Sequence, residues 1–202
     1  MIRSNVEVAL DDPRTDEEEW RETGEIIKRN VEKMGEMIDS LLAVARVETA
    51  NPDPVSVDLA ELMKRKAREY QPVILDAGVV VEVDADPVSV VGVELAVERA
   101  VSNLIDNAIR VAPSGSRLKL ASGETEGWAY LAVDDEGPGL QLDSDELPIG
   151  LGLSIVERVA DSHGGSLVSF SGSSGRGTTM VMWLPTTGEI GPQPNNSPLT
   201  NV

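Results

Sequence analysis

GVELAVERAVSNLIDNAIRVA, residues 92–112, reads as one long helix that Pro113 ends. Val97, Val101, Leu104, Ile105 and Ala108 recur at helical spacing and form a core-facing stripe. Ala96, Ala100, Asn103, Asn107 and Arg110 share a different face, again in steps of three and four. Two amides and a guanidinium beside two alanines leave room for a polar ligand. Asn offers Mg²⁺ a neutral oxygen, and Arg offers phosphate its donors. Taken alone, Asn on a helix face meets water as readily as a ligand, so this helix sets the frame and other segments must supply the function.

Working outward, DLAELMKRKAREY opens a helix at Asp58, with Glu61 completing a cap, and VVVEVDAD (79–86) has a strand pattern. Downstream, RLKLAS and WAYLAVDD read as a hairpin joined through GETEG. GLGLSIVERVADSH (150–163) is a helix closed by Gly164 and Gly165, and SLVSFSG with TTMVMWLP forms a last strand pair. The predicted fold is therefore α+β, a mixed sheet with helices on one face, in the region 58–185. Residues 186–202, polar and rich in proline, are expected to be a disordered tail.

Upstream, Thr15 and Glu18 match a capping box. Trp20, Gly24, Ile27, Val31, Met34, Ile38, Leu41 and Ala45 then step by alternating fours and threes, a seam for a coiled coil or antiparallel bundle. The alternative is a single amphipathic helix lying on a globular core. Pro52 and Pro54 break this pattern, so residues 1–49 read as a separate helical segment and 50–57 as a linker.

The chain has 202 residues with a net charge of −18, which disfavours nucleic acid or an anionic membrane surface as its main partner. No apolar run approaches the ~20 residues of a spanning helix. The absence of cysteine removes disulfides and thiolate chemistry, and the single histidine removes His-cluster metal sites.

Three more segments carry possible chemistry. In VDDEGPGLQ (133–141) a strand ends in acids and turns through Gly137 and Gly139, placing a carboxylate such as Asp135 where it can accept from an exocyclic amine. In IGLGLSIV, Gly150 and Gly152 open a helix whose free amides favour anions. GSSGRGTT (172–179) is a glycine-rich turn leading to Thr178 and Thr179. Singly, each also fits an ordinary turn or helix start.

In order, NLIDNA, DEGPG, GLGLSIV and GRGTT resemble the N, G1, G2 and G3 boxes of the histidine-kinase ATP-binding domain, a Bergerat-type α/β sandwich. The resemblance covers residues 58–185 and extends upstream. There, MIDSLLAVARVET looks like the second helix of the dimerisation and phosphotransfer hairpin, so residues 1–49 resemble part of that hairpin. It implies ATP and Mg²⁺ as cofactors, with Asn107 holding the metal, Asn103 beside it as a possible catalytic residue, and Arg110 near the phosphates. It further implies Asp135 on the adenine amino group, Gly137 and Gly139 passing the nucleotide, Gly150, Leu151 and Gly152 cradling phosphate, and Thr178 supporting the adenine end.

The resemblance is not complete. The phospho-acceptor motif is absent, and His163 falls where the family has a structural His-Gly-Gly. The lid between Gly139 and Gly150 is short, Pro148 replaces a glycine, and Val111 stands where an aromatic is usual. Asn103 stands where the gyrase and chaperone branch uses a Glu base.

The implied function is the ATP-binding catalytic part of a sensor histidine kinase, transferring the γ-phosphoryl group to a histidine outside this chain. The alternative is a non-catalytic nucleotide-binding or dimerisation module. Implied partners are a homodimer mate or a kinase chain carrying the acceptor histidine, and a downstream response regulator. The expected location is the cytoplasm, including the cytoplasmic portion of a membrane-anchored kinase. A fragment of a longer kinase and a natural split kinase both fit these residues.

Overall fold

The computed structural model describes residues 24, 53–139, 151–186 and 191–199. The chain divides into two units, Met1–Glu48 and Thr49–Val202, and the elements below belong to the second. The heptad seam, the expected hairpin over 1–49, the short lid, Pro148 and Gly150 lie outside the described residues, Gly24 apart.

Strand β1 (Val55–Asp58) runs directly into helix α1 (Leu59–Asp76), whose first turn is capped by the Asp58 carboxylate accepting from Glu61 N–H at 3.0 Å. Residues 55–57, expected to be linker, are therefore strand. Val57 is buried and pairs with Val90 of β3 (Ser89–Gly92) in a small antiparallel sheet. Helix α1 also runs further than its sequence pattern, through Pro72 to Asp76.

The main sheet takes the order β2 (Val80–Ala85), β4 (Arg117–Thr125), β5 (Trp128–Asp135), β7 (Thr178–Pro185), β6 (Ser166–Ser171). Only β2 and β4 are parallel, so the sheet is mixed. Between β4 and β5 the turn is two residues, Glu126 and Gly127, both at positive φ, which suits the twist of a tight hairpin.

Helices α1, α2 (Glu94–Val111) and α3 (Leu151–Ser162) pack on one sheet face, as expected. Their core is aliphatic: Leu62, Met63, Val97, Leu104 and Val156 meet Leu120, Leu131 and Met182. Ala96 and Ala100 are buried in that core, so they admit close packing and leave no space for a ligand. No helix among the described residues is long and apolar enough to cross a membrane.

The expected disordered tail is also corrected. Residues 191–199 lie against the sheet's other face, where Trp128 Nε1 donates to the Gly191 carbonyl at 3.0 Å and Leu199 packs into an aromatic cluster. Specific contacts hold a segment whose composition alone predicts none.

Candidate functional site

Helix α2 connects two groups of the sequence-predicted residues. Near its middle, Asn103 faces the first turn of α3. A Cβ built on Gly152 would lie 3.5 Å from Asn103 Oδ1, an ordinary contact distance that puts the start of helix α3 beside the amide. Asn103 Nδ2 is buried and has no partner among the described residues. An orphaned buried donor costs free energy unless an acceptor arrives, which is what a phosphate oxygen would provide. One turn on, Asn107 Oδ1 accepts from Arg110 Nη2 and keeps a second lone pair. Leu151 is the first residue of α3, ahead of Gly152.

At the C-terminal end of α2, Val111 meets the turn after β5. A Cβ on Gly137 would come within 3.0 Å of the Val111 carbonyl and 2.8 Å of Asp135 Oδ1, so only glycine fits. The Val111 main chain thus shapes this corner.

Asp135 ends β5 and is 3% exposed. Gly137 N–H donates to its Oδ1 at 2.8 Å, and Thr178 N–H on the paired strand also supports the carboxylate. Burial pushes this carboxyl above the usual Asp range, the two N–H groups pull it down, and the Asp134 charge adds to the rise. Thr178 is buried directly opposite, in register with Asp135. Gly139 sits at φ +80°, with its Cβ position 3.4 Å from the Gly177 carbonyl. Asp135, Gly137, Gly139 and Thr178 therefore form one corner, and Asn103 with Gly152 forms another further along α2.

The sequence did not single out Asp134. Its side chain points to the opposite sheet face and accepts from Ser173 N–H at 2.9 Å, Ser173 Oγ at 2.6 Å and Thr179 Oγ1 at 2.5 Å. The available signal was Asp-Asp ending one strand in register with Thr-Thr opening its partner. A polar cavity of about 450 Å³ flanks this region, lined by residues 137–139, 169–171 and 175–177.

His163 is structural, as expected. Its Nδ1 lies 2.7 Å from the Val159 carbonyl, and its Nε2 accepts from Val93 N–H at 3.0 Å, so both ring nitrogens of the neutral form are engaged.

Residues 92–188 match the family described as histidine kinase-, DNA gyrase B- and HSP90-like ATPases. The sensor protein kinase PmrB of Pseudomonas aeruginosa is 27% identical over 208 residues, covering 92% of this chain and 42% of PmrB. The chain spans about two-fifths of the length of the curated relatives it matches. Among solved structures, a mycobacterial sensor histidine kinase MprB is 30% identical (TM-score 0.55), covering 65% of this chain and 97% of that one. The Acinetobacter baumannii histidine kinase AdeS shares the fold at 21% identity (TM-score 0.65), with 93% of this chain and 94% of that one covered.

Proposed function

The chain belongs to the sensor histidine kinases and carries their histidine kinase-, DNA gyrase B- and HSP90-like ATPase domain; on that premise we propose that it binds Mg²⁺–ATP and delivers the γ-phosphoryl group to a histidine outside this sequence. The buried Asp135 carboxylate carries the reading. It is fixed by Gly137 and Thr178, and its remaining acceptor capacity suits the adenine amino group.

The other residues fit the rest of the nucleotide. Asn103 Nδ2 supplies a buried donor that needs an acceptor, and the first turn of α3, with its free amides, lies beside it at Gly152. Asn107 would hold Mg²⁺ through Oδ1, with Arg110 as the cation beside the phosphates. Gly150 and Leu151 would complete the phosphate cradle. When bound, the ion neutralises phosphate charge, while the chain's own groups orient the nucleotide and exclude water.

His163 is a poor acceptor because its Nε2 lone pair already takes the Val93 N–H. The accepting histidine would come from a homodimer mate or partner kinase chain, and a response regulator would receive the group next. Such a domain works on the cytoplasmic side, where ATP is available.

Calorimetry on the full chain tests the nucleotide half of this reading. Saturable binding of ATP with Mg²⁺, and much weaker binding of GTP, is expected. Equal binding of both nucleotides, or of neither, rejects it.

A further inference from the structure

The sheet face turned away from the helices carries four of the chain's six aromatic residues: Trp128, Tyr130, Phe170 and Trp183. Tyr130 and Trp183 meet edge to face at 5.7 Å. Trp183 is fully buried although no helix among the described residues packs there. Residues 191–199, GPQPNNSPL, supply cover on this face.

They do so without joining the sheet. Three prolines in nine residues cannot donate to a strand ladder, and the main sheet stops at five strands. Side chains hold the segment instead. Trp128 Nε1 donates to the Gly191 carbonyl, Ser166 Oγ donates to Gln193 Oε1 at 2.9 Å, Pro194 is buried, and Leu199 enters the aromatic cluster.

We propose that this aromatic face is a binding site for a proline-rich peptide, and that residues 191–199 are the exchangeable ligand that fills it in cis. Flat aromatic surfaces take proline-rich segments because such segments lose little conformational entropy on docking. The tether is short. Thr186 N–H and Oγ1 both bond to the Gly127 carbonyl, and only residues 187–190 separate Thr186 from Gly191. A tether of that length gives an effective concentration of about millimolar, so a weak intrinsic affinity keeps the segment seated. The ligand is this chain's own segment because Gly191, Gln193 and Leu199 are seated on the face and a four-residue stretch joins them to Thr186 at its edge. None of this depends on the nucleotide reading.

The test uses the full chain with a site-specific protease sequence replacing residues 187–190 and Trp20→Phe, so that emission reports Trp128 and Trp183 alone. Cleavage and gel filtration remove the segment, and a synthetic peptide of residues 191–202 is titrated back. The expected result is red-shifted emission after removal and saturable recovery, half complete between about 0.05 and 1 mM. Trp128→Phe keeps an aromatic ring, leaves Trp183 as the reporter, loses the donor to Gly191, and should weaken rebinding about two- to tenfold. Leu199→Glu in the peptide should weaken it further, and circular dichroism checks that each protein is folded. Unchanged emission after removal, or no saturable recovery at ten times that range, overturns the proposal. A cleaved chain that doubles in mass and ignores the peptide assigns the face to self-association instead and equally overturns it.

Discussion

Asp134 and Asp135 are adjacent in sequence and sit in opposite surroundings, because a strand turns successive side chains to opposite faces. Asp135 faces the helices, where burial raises its carboxyl above the ordinary range. The folded chain thus holds that proton more tightly than the unfolded chain, and this group's contribution to stability falls as pH rises through its folded value. Asp135→Asn removes the buried charge and keeps an oxygen for Gly137. The variant should melt at the same temperature as wild type or higher at pH 7, while ATP affinity falls about tenfold to a hundredfold in calorimetry. Wild-type ATP binding should also weaken on acidification from a pH above that of an ordinary Asp, a dependence the variant lacks. A variant that melts early and binds ATP normally contradicts the assignment. His163 provides the contrasting case. The α2 cap residue, Val93, makes no side-chain cap bond, and its N–H relies on His163 Nε2 from 70 residues away. His163→Ala should cost about 1–3 kcal/mol in urea unfolding by orphaning that donor. Gly92 shares the arrangement, since a Cβ there would come within 2.5 Å of the imidazole.

Among the elements, the turn between β6 and β7 depends on Asp134. Three donors from Ser173 and Thr179 converge on that carboxylate, and a side chain on Gly177, at φ +73°, would overlap the Asp135 carbonyl. Asp134→Ala should therefore destabilise the domain by about 2–4 kcal/mol, with less effect on ATP affinity than Asp135→Asn. Urea unfolding and calorimetry on both variants should give opposite profiles, and matching profiles would show that the two acids share one role. Strand periodicity alone could not separate them, because period two puts neighbours on opposite faces without saying which face is covered; the DEGPG resemblance pointed to Asp135 and left the role of Asp134 unread. Helix α2 was legible because its apolar stripe repeats over about three turns, from Val97 to Ala108, and Pro113 marks its end. The glycine turns were legible because few residues fit them. Strand β1 was hidden for the opposite reason: it has four residues, begins directly after Pro54 and ends on the helix cap Asp58, and its partner β3 begins at Ser89. Residues 191–199 were misread because composition averages over a segment, while Gly191, Gln193 and Leu199 each meet a specific site.

At the scale of the whole molecule, a net charge of −18 opposes the approach of ATP, so the proposed binding would rest on oriented local donors and Mg²⁺ rather than on long-range attraction. The same separation of parts governs transfer. The domain offers the proposed nucleotide corner at Asp135 and Thr178 and an amide at Asn103 unsatisfied among the described residues, while its sole histidine has both nitrogens engaged in holding α2 and α3 together. Phosphoryl transfer needs a free nitrogen lone pair in line with the γ-phosphate, and His163 Nε2 would have to abandon the Val93 N–H to supply one. The full chain incubated with radiolabelled Mg²⁺–ATP alone should therefore take up no acid-labile label. Adding a protein that presents the histidine-bearing first helix of the hairpin should restore labelling, on that protein and not on this chain. Asn107→Asp should suppress it, because a fixed negative charge would sit beside the phosphates where a neutral amide now stands. Acid-labile label mapped by mass spectrometry to His163 would overturn the structural role of that residue. Label on neither chain, with ATP still bound, would leave a nucleotide-binding domain without transfer.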